Sequence, residues 1–84
     1  MPLKVSVISP ERTLFHGSVD SVVAPAFDGE VGILPGHAPM MTLLGKGTLR
    51  LGADGSAGRF AVEGGFLQVV DDAVRVVTER ATQG

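Results

Sequence analysis

The sequence predicts an all-β fold, a small two-sheet β-sandwich or flattened barrel of about eight to ten short strands. Three observations lead there. Apolar residues recur with period two along most of the chain and hardly anywhere with period 3.6. Turn signals separate these runs every ~5–10 residues, and the 12 glycines in 84 residues are about twice ordinary usage. Valine supplies 12 of the 84 residues, and its β-branched side chain, stiff at χ1, suits a pleated, half-buried surface.

The elements follow in order. Leu3, Val5 and Val7 share one side of a first strand, with Lys4 and Ser6 opposite. Ser9-Pro10-Glu11 breaks the chain, and Thr13 to His16 reads as a short second strand. Between Ser18 and Ala24 the apolar phase of Val19, Val22 and Val23 slips by one residue, the mark of a bulge or of a strand buried on both faces. Gly29–Leu34 and Pro39–Leu44 are two further strands flanking a Pro-Gly corner. A helical turn over residues 38–44 would be ended by Gly45 and Gly47. Leu49 and Leu51 point inward around Arg50, and the run from Gly52 to Gly58 is a turn-rich hairpin tip. Phe60 and Val62 face the core from Arg59–Glu63; Gly64-Gly65 reads as a tight turn entering a core strand through Phe66. Phe66–Val70 and Ala73–Glu79 are joined through Asp71-Asp72, a two-residue hairpin. Residues 1–84 form a single domain without repeats, linkers or low-complexity segments.

Composition excludes several functional classes. No run of 18 apolar residues exists to span a membrane as a helix. The chain enters Pro2-Leu3-Lys4-Val5 directly, so no secretory leader is expected. Zero cysteines leave neither disulfides nor a thiolate metal site. Net charge is −2, basic residues are scattered singly, and there is neither Trp nor Tyr for base stacking, so no nucleic-acid partner is expected.

Catalytic chemistry finds little purchase. The histidines are His16 and His37, neither in a nucleophile-elbow setting, and two distant imidazoles do not make a metal centre. His16, beside Gly17 at a strand end, is expected to be exposed and chemically idle. Asp71-Asp72 carries carboxylates where a turn favours Asp. The run from Gly29 to Gly36 lacks the spacing of a nucleotide loop, and Pro35 and Pro39 forbid the helix that would hold a pyrophosphate. Lys46 between glycines raises one alternative, a lipoyl- or biotinyl-type carrier domain modified at that lysine; the plain reading is an exposed turn lysine.

The most informative stretch is Gly29–Leu44, GEVGILPGHAPMMTLL. Glu30, Gly32, Ile33, Pro35, Gly36, His37, Ala38 and Pro39 follow one another as in a pattern known from one family. Upstream, Leu14-Phe15-His16-Gly17 with Val19, Val22 and Pro25 fits its spacing, and so downstream do Glu63-Gly64-Gly65-Phe66-Leu67-Gln68-Val69 and Val74-Arg75-Val76-Val77. Over residues 3–80 the chain resembles the β-sandwich domain of the epsilon subunits of F-type ATP synthases.

That resemblance implies a non-catalytic rotor subunit of the central stalk. It would link the gamma subunit to the c-subunit ring, coupling ion transport to ATP synthesis, as a peripheral component on the cytoplasmic face of the bacterial inner membrane. It implies no cofactor. Family members usually continue into two C-terminal helices; with the sequence ending at Gly84, helix-borne inhibition and nucleotide binding are not expected of it. Ser9, Leu14, Met41, Thr42 and Leu43 fall near the family's gamma-contacting positions, and one of the adjacent Met40 and Met41 must point outward on a strand. Glu30 and His37 are expected on a neighbouring edge facing the ring. The plainer reading of His37 is a ring nitrogen bonded to a nearby carbonyl, fixing the Pro35–Pro39 corner; that of Glu30 is a solvated turn residue.

Overall fold

A computed structural model describes residues 2–83, with the side chain of Asp54 outside that description. Eight strands follow in sequence: β1 (Leu3–Ile8), β2 (Thr13–Val19), β3 (Val22–Ala26), β4 (Gly29–Ile33), β5 (Met40–Leu43), β6 (Lys46–Leu51), β7 (Gly58–Val70) and β8 (Ala73–Gln83). A single 3₁₀ turn, Ala53–Gly55, closes the β6–β7 hairpin. Hydrogen bonding links all eight strands into one sheet in the order β2-β1-β8-β7-β6-β3-β4, with β5 pairing β7. All pairings are antiparallel except β1 with β8, which is parallel.

One sheet becomes two layers because its central strands crease. β7 runs unbroken for 13 residues, pairing β6 through Gly58–Glu63 and β5 through Phe66–Val69 along the same edge. At the crease Gly64 and Gly65 take φ of 73° and 102°. No turn ends the strand there: the expected Gly64-Gly65 turn is instead a fold line within one strand, available because glycine enters the left-handed region without a Cβ clash. Phe66 correspondingly lies half-buried, and Leu67 and Val69 are the core residues.

Inward-facing positions switch parity across that line on both β7 (Phe60 and Val62, then Leu67 and Val69) and β8 (Val74, Val76 and Thr78, then Ala81). The neighbouring chain bends too, the Leu44 amide donating to the Gly65 carbonyl at 2.9 Å and the Gly64 amide to that of Gly45 at 3.3 Å. Thr78, buried on β8, donates its hydroxyl to the Arg80 carbonyl at 2.8 Å, with the Gly64 carbonyl at 3.1 Å as a second acceptor. The creased strands supply their own polar groups with partners at the point where ladder bonding is most disturbed.

Between the layers lies one apolar core. Leu3, Val5, Val7, Leu67, Val69, Val74 and Val76 meet Val22, Ala24, Ile33, Leu49, Leu51, Phe60 and Val62. Full burial of each Leu or Val side chain contributes about 1.5–3 kcal/mol, so a polar group at any of these positions would be costly.

The slip between Ser18 and Ala24 has a different cause from the one expected. β2 ends at the buried Val19 in one layer, and β3 begins at the buried Val22 in the other. The phase changes because the chain crosses from one layer to the other, across Asp20-Ser21. A bulge does occur, but earlier: Val7 pairs Phe15 and Ile8 pairs Thr13, leaving Leu14 as the extra residue.

Candidate interaction faces

The β7–β8 connection is the expected two-residue hairpin. Asp71 and Asp72 have φ of 49° and 62°, the pattern of a type I′ turn, whose twist matches paired strands. Asp72 also reaches across space, accepting the Gly36 amide through Oδ1 at 2.7 Å. Gly36 belongs to a second tight turn. The His37 amide donates to the Leu34 carbonyl at 3.1 Å, with Pro35 next and Gly36 at φ 88°, the signature of type II.

His37 is half-buried at this corner, its Nδ1 donating to the Ala38 carbonyl at 2.7 Å; a carbonyl only accepts, so Nδ1 carries the proton. This is the structural role considered for it. Glu30 sits near the other end of β4, beside the β3–β4 hairpin, its carboxylate 3.4 Å from Arg50 Nη2. The expected pair is therefore divided between two ends of one strand, each member with its own partner.

β5 alternates cleanly. Met40 packs against the core and Thr42 is half-buried, while Met41 and Leu43 are 66% and 62% exposed. Cross-strand register sets Leu43 beside Phe66, Phe66 beside Val77 and Val77 beside Ile8. Residues directly opposite one another share a face, so these four form an apolar row over the outside of the β1-β8-β7-β5 layer. Met41 heads the adjacent row with Gln68, Arg75 and Ser6.

Ser9 follows Ile8 at the far end and closes a turn with Arg12, its amide bonding the Arg12 carbonyl at 2.9 Å. Leu14, the bulge residue, packs partly against the core. Ser9 and Leu14 thus stand across the layer from Met41, Thr42 and Leu43, joined to them by a row that passes through Phe66 and Val77. Sequence reasoning did not include Ile8, Phe66 and Val77. The available signal was adjacent apolar pairs within strands, Val7-Ile8, Phe66-Leu67 and Val76-Val77, since one member of each must face outward.

His16 is exposed. Among the described residues no group of three or more His, Cys, Asp or Glu is placed to hold a metal ion. None of the described helices is long and apolar enough to cross a membrane. Lys46 begins β6 opposite Glu63, beside a glycine whose amide bonds the Pro25 carbonyl at 2.8 Å. It is stitched into the crease rather than held out on a hairpin tip, so the carrier alternative is not favoured.

A family model described as the β-sandwich domain of the ATP synthase delta/epsilon chain matches residues 2–84. The chain belongs to that family. Among similar members of the delta/epsilon family, the ATP synthase epsilon chain of Synechococcus sp. is 44% identical over 100% of this chain and 61% of its own length. That of Leptospira borgpetersenii is 47% identical over 92% of this chain, again 61% of its own length. The chain spans about six-tenths of the length of the curated relatives it matches. Among solved structures, a chain of the Euglena gracilis mitochondrial ATP synthase, in an OSCP/F1/c-ring structure, superposes with TM-score 0.86 at 22% identity, covering 98% of this chain and 53% of that one. At that identity the likeness speaks for the fold.

Proposed function

We propose that this domain is a non-catalytic component of the central stalk of an F-type ATP synthase, joining the gamma subunit to the c-subunit ring so that rotation driven by ion transport reaches the ATP-making head. Membership of the delta/epsilon family supports the setting, and the exposed apolar face supports the mode of action. Such a part must transmit torque without slipping. Ladder hydrogen bonds and a close-packed core brace every strand, and the glycine crease locks the two layers into one body.

The observation that carries the reading is the outer face of β5, β7, β8 and β1. Met41 and Leu43 stand in solvent with Phe66, Val77 and Ile8 behind them, an apolar centre of the sort a lasting interface needs. This face docks gamma, with Met41, Thr42 and Leu43 at one margin and Ser9 and Leu14 at the other. The Pro35–Pro39 corner with His37, and Glu30 at the opposite end of β4, meet the ring. The domain acts peripherally on the cytoplasmic face of a bacterial inner membrane and needs no cofactor.

Co-purification tests the gamma assignment. Met41→Asp is expected to abolish recovery with gamma; recovery unchanged from the parent would remove this face from the interface. Rim contacts are worth only about 0–1 kcal/mol each, so the ring assignment calls for the double substitution Glu30→Ala with His37→Ala. Ring attachment and coupling that survive it intact would refute that edge.

A further inference from the structure

The outer face of the β1-β8-β7-β5 layer is apolar along one row only. Beside it, the row that Met41 heads runs through Gln68, Arg75 and Ser6 to His16, and the next carries Val70, Ala73, Lys4 and Ser18. Lys4, His16 and Arg75 are all exposed, and neither row holds a carboxylate, so the face is cationic on this side. The acids of these strands lie outside both rows. Glu79 stands two positions past Val77, on the other side of the apolar row, and Glu11 and Asp20 sit beyond the two ends of β2. Asp71 and Asp72 form the hairpin tip, where Asp72 is committed to the Gly36 amide.

Arg75 is singled out by its position. β8 is flanked by β1 and β7 within the layer, and Arg75 lies two residues from Val77, about 7 Å along the strand. A stable interface takes about 800 Å² from each partner. The Cα trace measures only 29 × 23 × 22 Å, so a patch of that size centred on Phe66 and Val77 takes in most of the face and covers Arg75. Among the described residues Arg75 forms no ion pair. Docking would strip its water and return nothing unless the partner brings an acceptor, and a covered, unpaired charge is strongly destabilising.

We infer that Arg75 determines specificity at this face: the gamma surface seated here carries a carboxylate opposite it, one row to the side of the apolar contact with Phe66 and Val77. This rests on the gamma assignment above. The planar guanidinium fork matches a carboxylate in bidentate fashion and stays charged throughout the physiological pH range. Because the acid is displaced to one side of the apolar row, the pair fixes orientation as well as identity. A gamma surface turned end for end would bring its acid to the side of Glu79, where like charges oppose, and would leave Arg75 covered and unpaired. Lys4 and His16 extend the field of the same sign and favour encounter with an acidic partner.

Titration of the 84-residue chain against the gamma-bearing head tests it. Arg75→Gln is expected to weaken binding by roughly 30-fold, the lower end for truncating a covered charge pair, and Arg75→Glu by more, since it sets like charges together. The parent's affinity should fall between about 50 and about 300 mM sodium chloride, and that of Arg75→Gln should fall less. Arg80→Glu, on the outer face of the other layer beside Lys46, should bind as the parent does. Among single changes of gamma's carboxylates to lysine, one should restore binding to Arg75→Glu; restoration by none would overturn the inference. Parent-like binding by Arg75→Glu while Met41→Asp abolishes it would refute the carboxylate and leave the gamma face standing. Parent-like binding by both would remove the face, and the inference with it. Equal weakening by Arg80→Glu would reduce the effect to net charge and overturn the pairing. Unchanged melting curves in each variant show that lost binding is not lost folding.

Discussion

Asp72 holds Gly36 across the sandwich: a carboxylate from the β7–β8 hairpin accepts the amide of a turn 36 residues away in the chain, at 2.7 Å. The same residue takes the left-handed conformation its hairpin requires, φ 62°, and its carbonyl accepts the Lys4 amide at 2.8 Å. One position thus sets a hairpin, joins it to β1 and fixes the Pro35–His37 corner.

Substituting Asp72→Gly separates these duties, since glycine keeps the backbone and discards the carboxylate. A loss of about 1 kcal/mol is expected, read by urea unfolding, with faster hydrogen exchange at the Gly36 amide. Asp72→Asn retains an acceptor and tolerates the same φ, so it should lose less. Unchanged stability and Gly36 exchange in Asp72→Gly would show that the carboxylate bond contributes nothing.

Gly65→Ala should be the most damaging single methyl in the molecule. The added carbon would overlap the Val77 carbonyl oxygen and approach Thr78 Cα to 2.7 Å, at a backbone φ of 102°. Clash and strain together are expected to cost more than about 3 kcal/mol, measured as a fall in Tm or outright failure to fold. Gly64→Ala faces instead the movable end of Glu79 and should cost about 1–2 kcal/mol.

Thr78→Val keeps the shape of a buried side chain and removes its hydroxyl. The Arg80 and Gly64 carbonyls lose a donor at the crease, for an expected loss of about 1–2 kcal/mol by chemical denaturation. Thr78→Ser preserves the donor and should recover part of it.

Met41→Asp should leave the isolated domain's stability within about 0.5 kcal/mol of the parent, because the side chain is 66% exposed. The same change at its neighbour, Met40→Asp, turns a charge toward the core and should destabilise by several times as much. Paired melting curves distinguish the two, and keep a lost gamma interaction from being mistaken for unfolding.

Much of the fold could be read from alternation alone, because each strand has one wet face and one dry one. Leu3-Val5-Val7 and Leu49-Leu51 face inward as expected, and Asp71-Asp72 announces its hairpin. What escaped was the crease. Gly64-Gly65 reads locally as a turn, and only the β8 and β5 partners show that pairing continues through it. The slip around Val19 and Val22 misled for a related reason, since a strand change and a bulge leave the same trace in a one-dimensional pattern. The site was legible where neighbours suffice, as in Met41 pointing out beside Met40. It was illegible where a partner comes from far along the chain: Arg50 for Glu30, Asp72 for Gly36, Phe66 and Val77 for Leu43.

The parallel pairing of β1 with β8 carries a consequence for biosynthesis. β1 is seated between β2 and β8, so the edge it turns to β8 stays unmatched until the segment from β2 through β8 has been translated. Closure over such a sequence separation places folding among the slower topologies, on a scale of about milliseconds to seconds. Through that interval the nascent β1–β2 hairpin leaves Leu3, Val5 and Val7 uncovered and depends on its early companions, or on a chaperone, to keep it from pairing elsewhere.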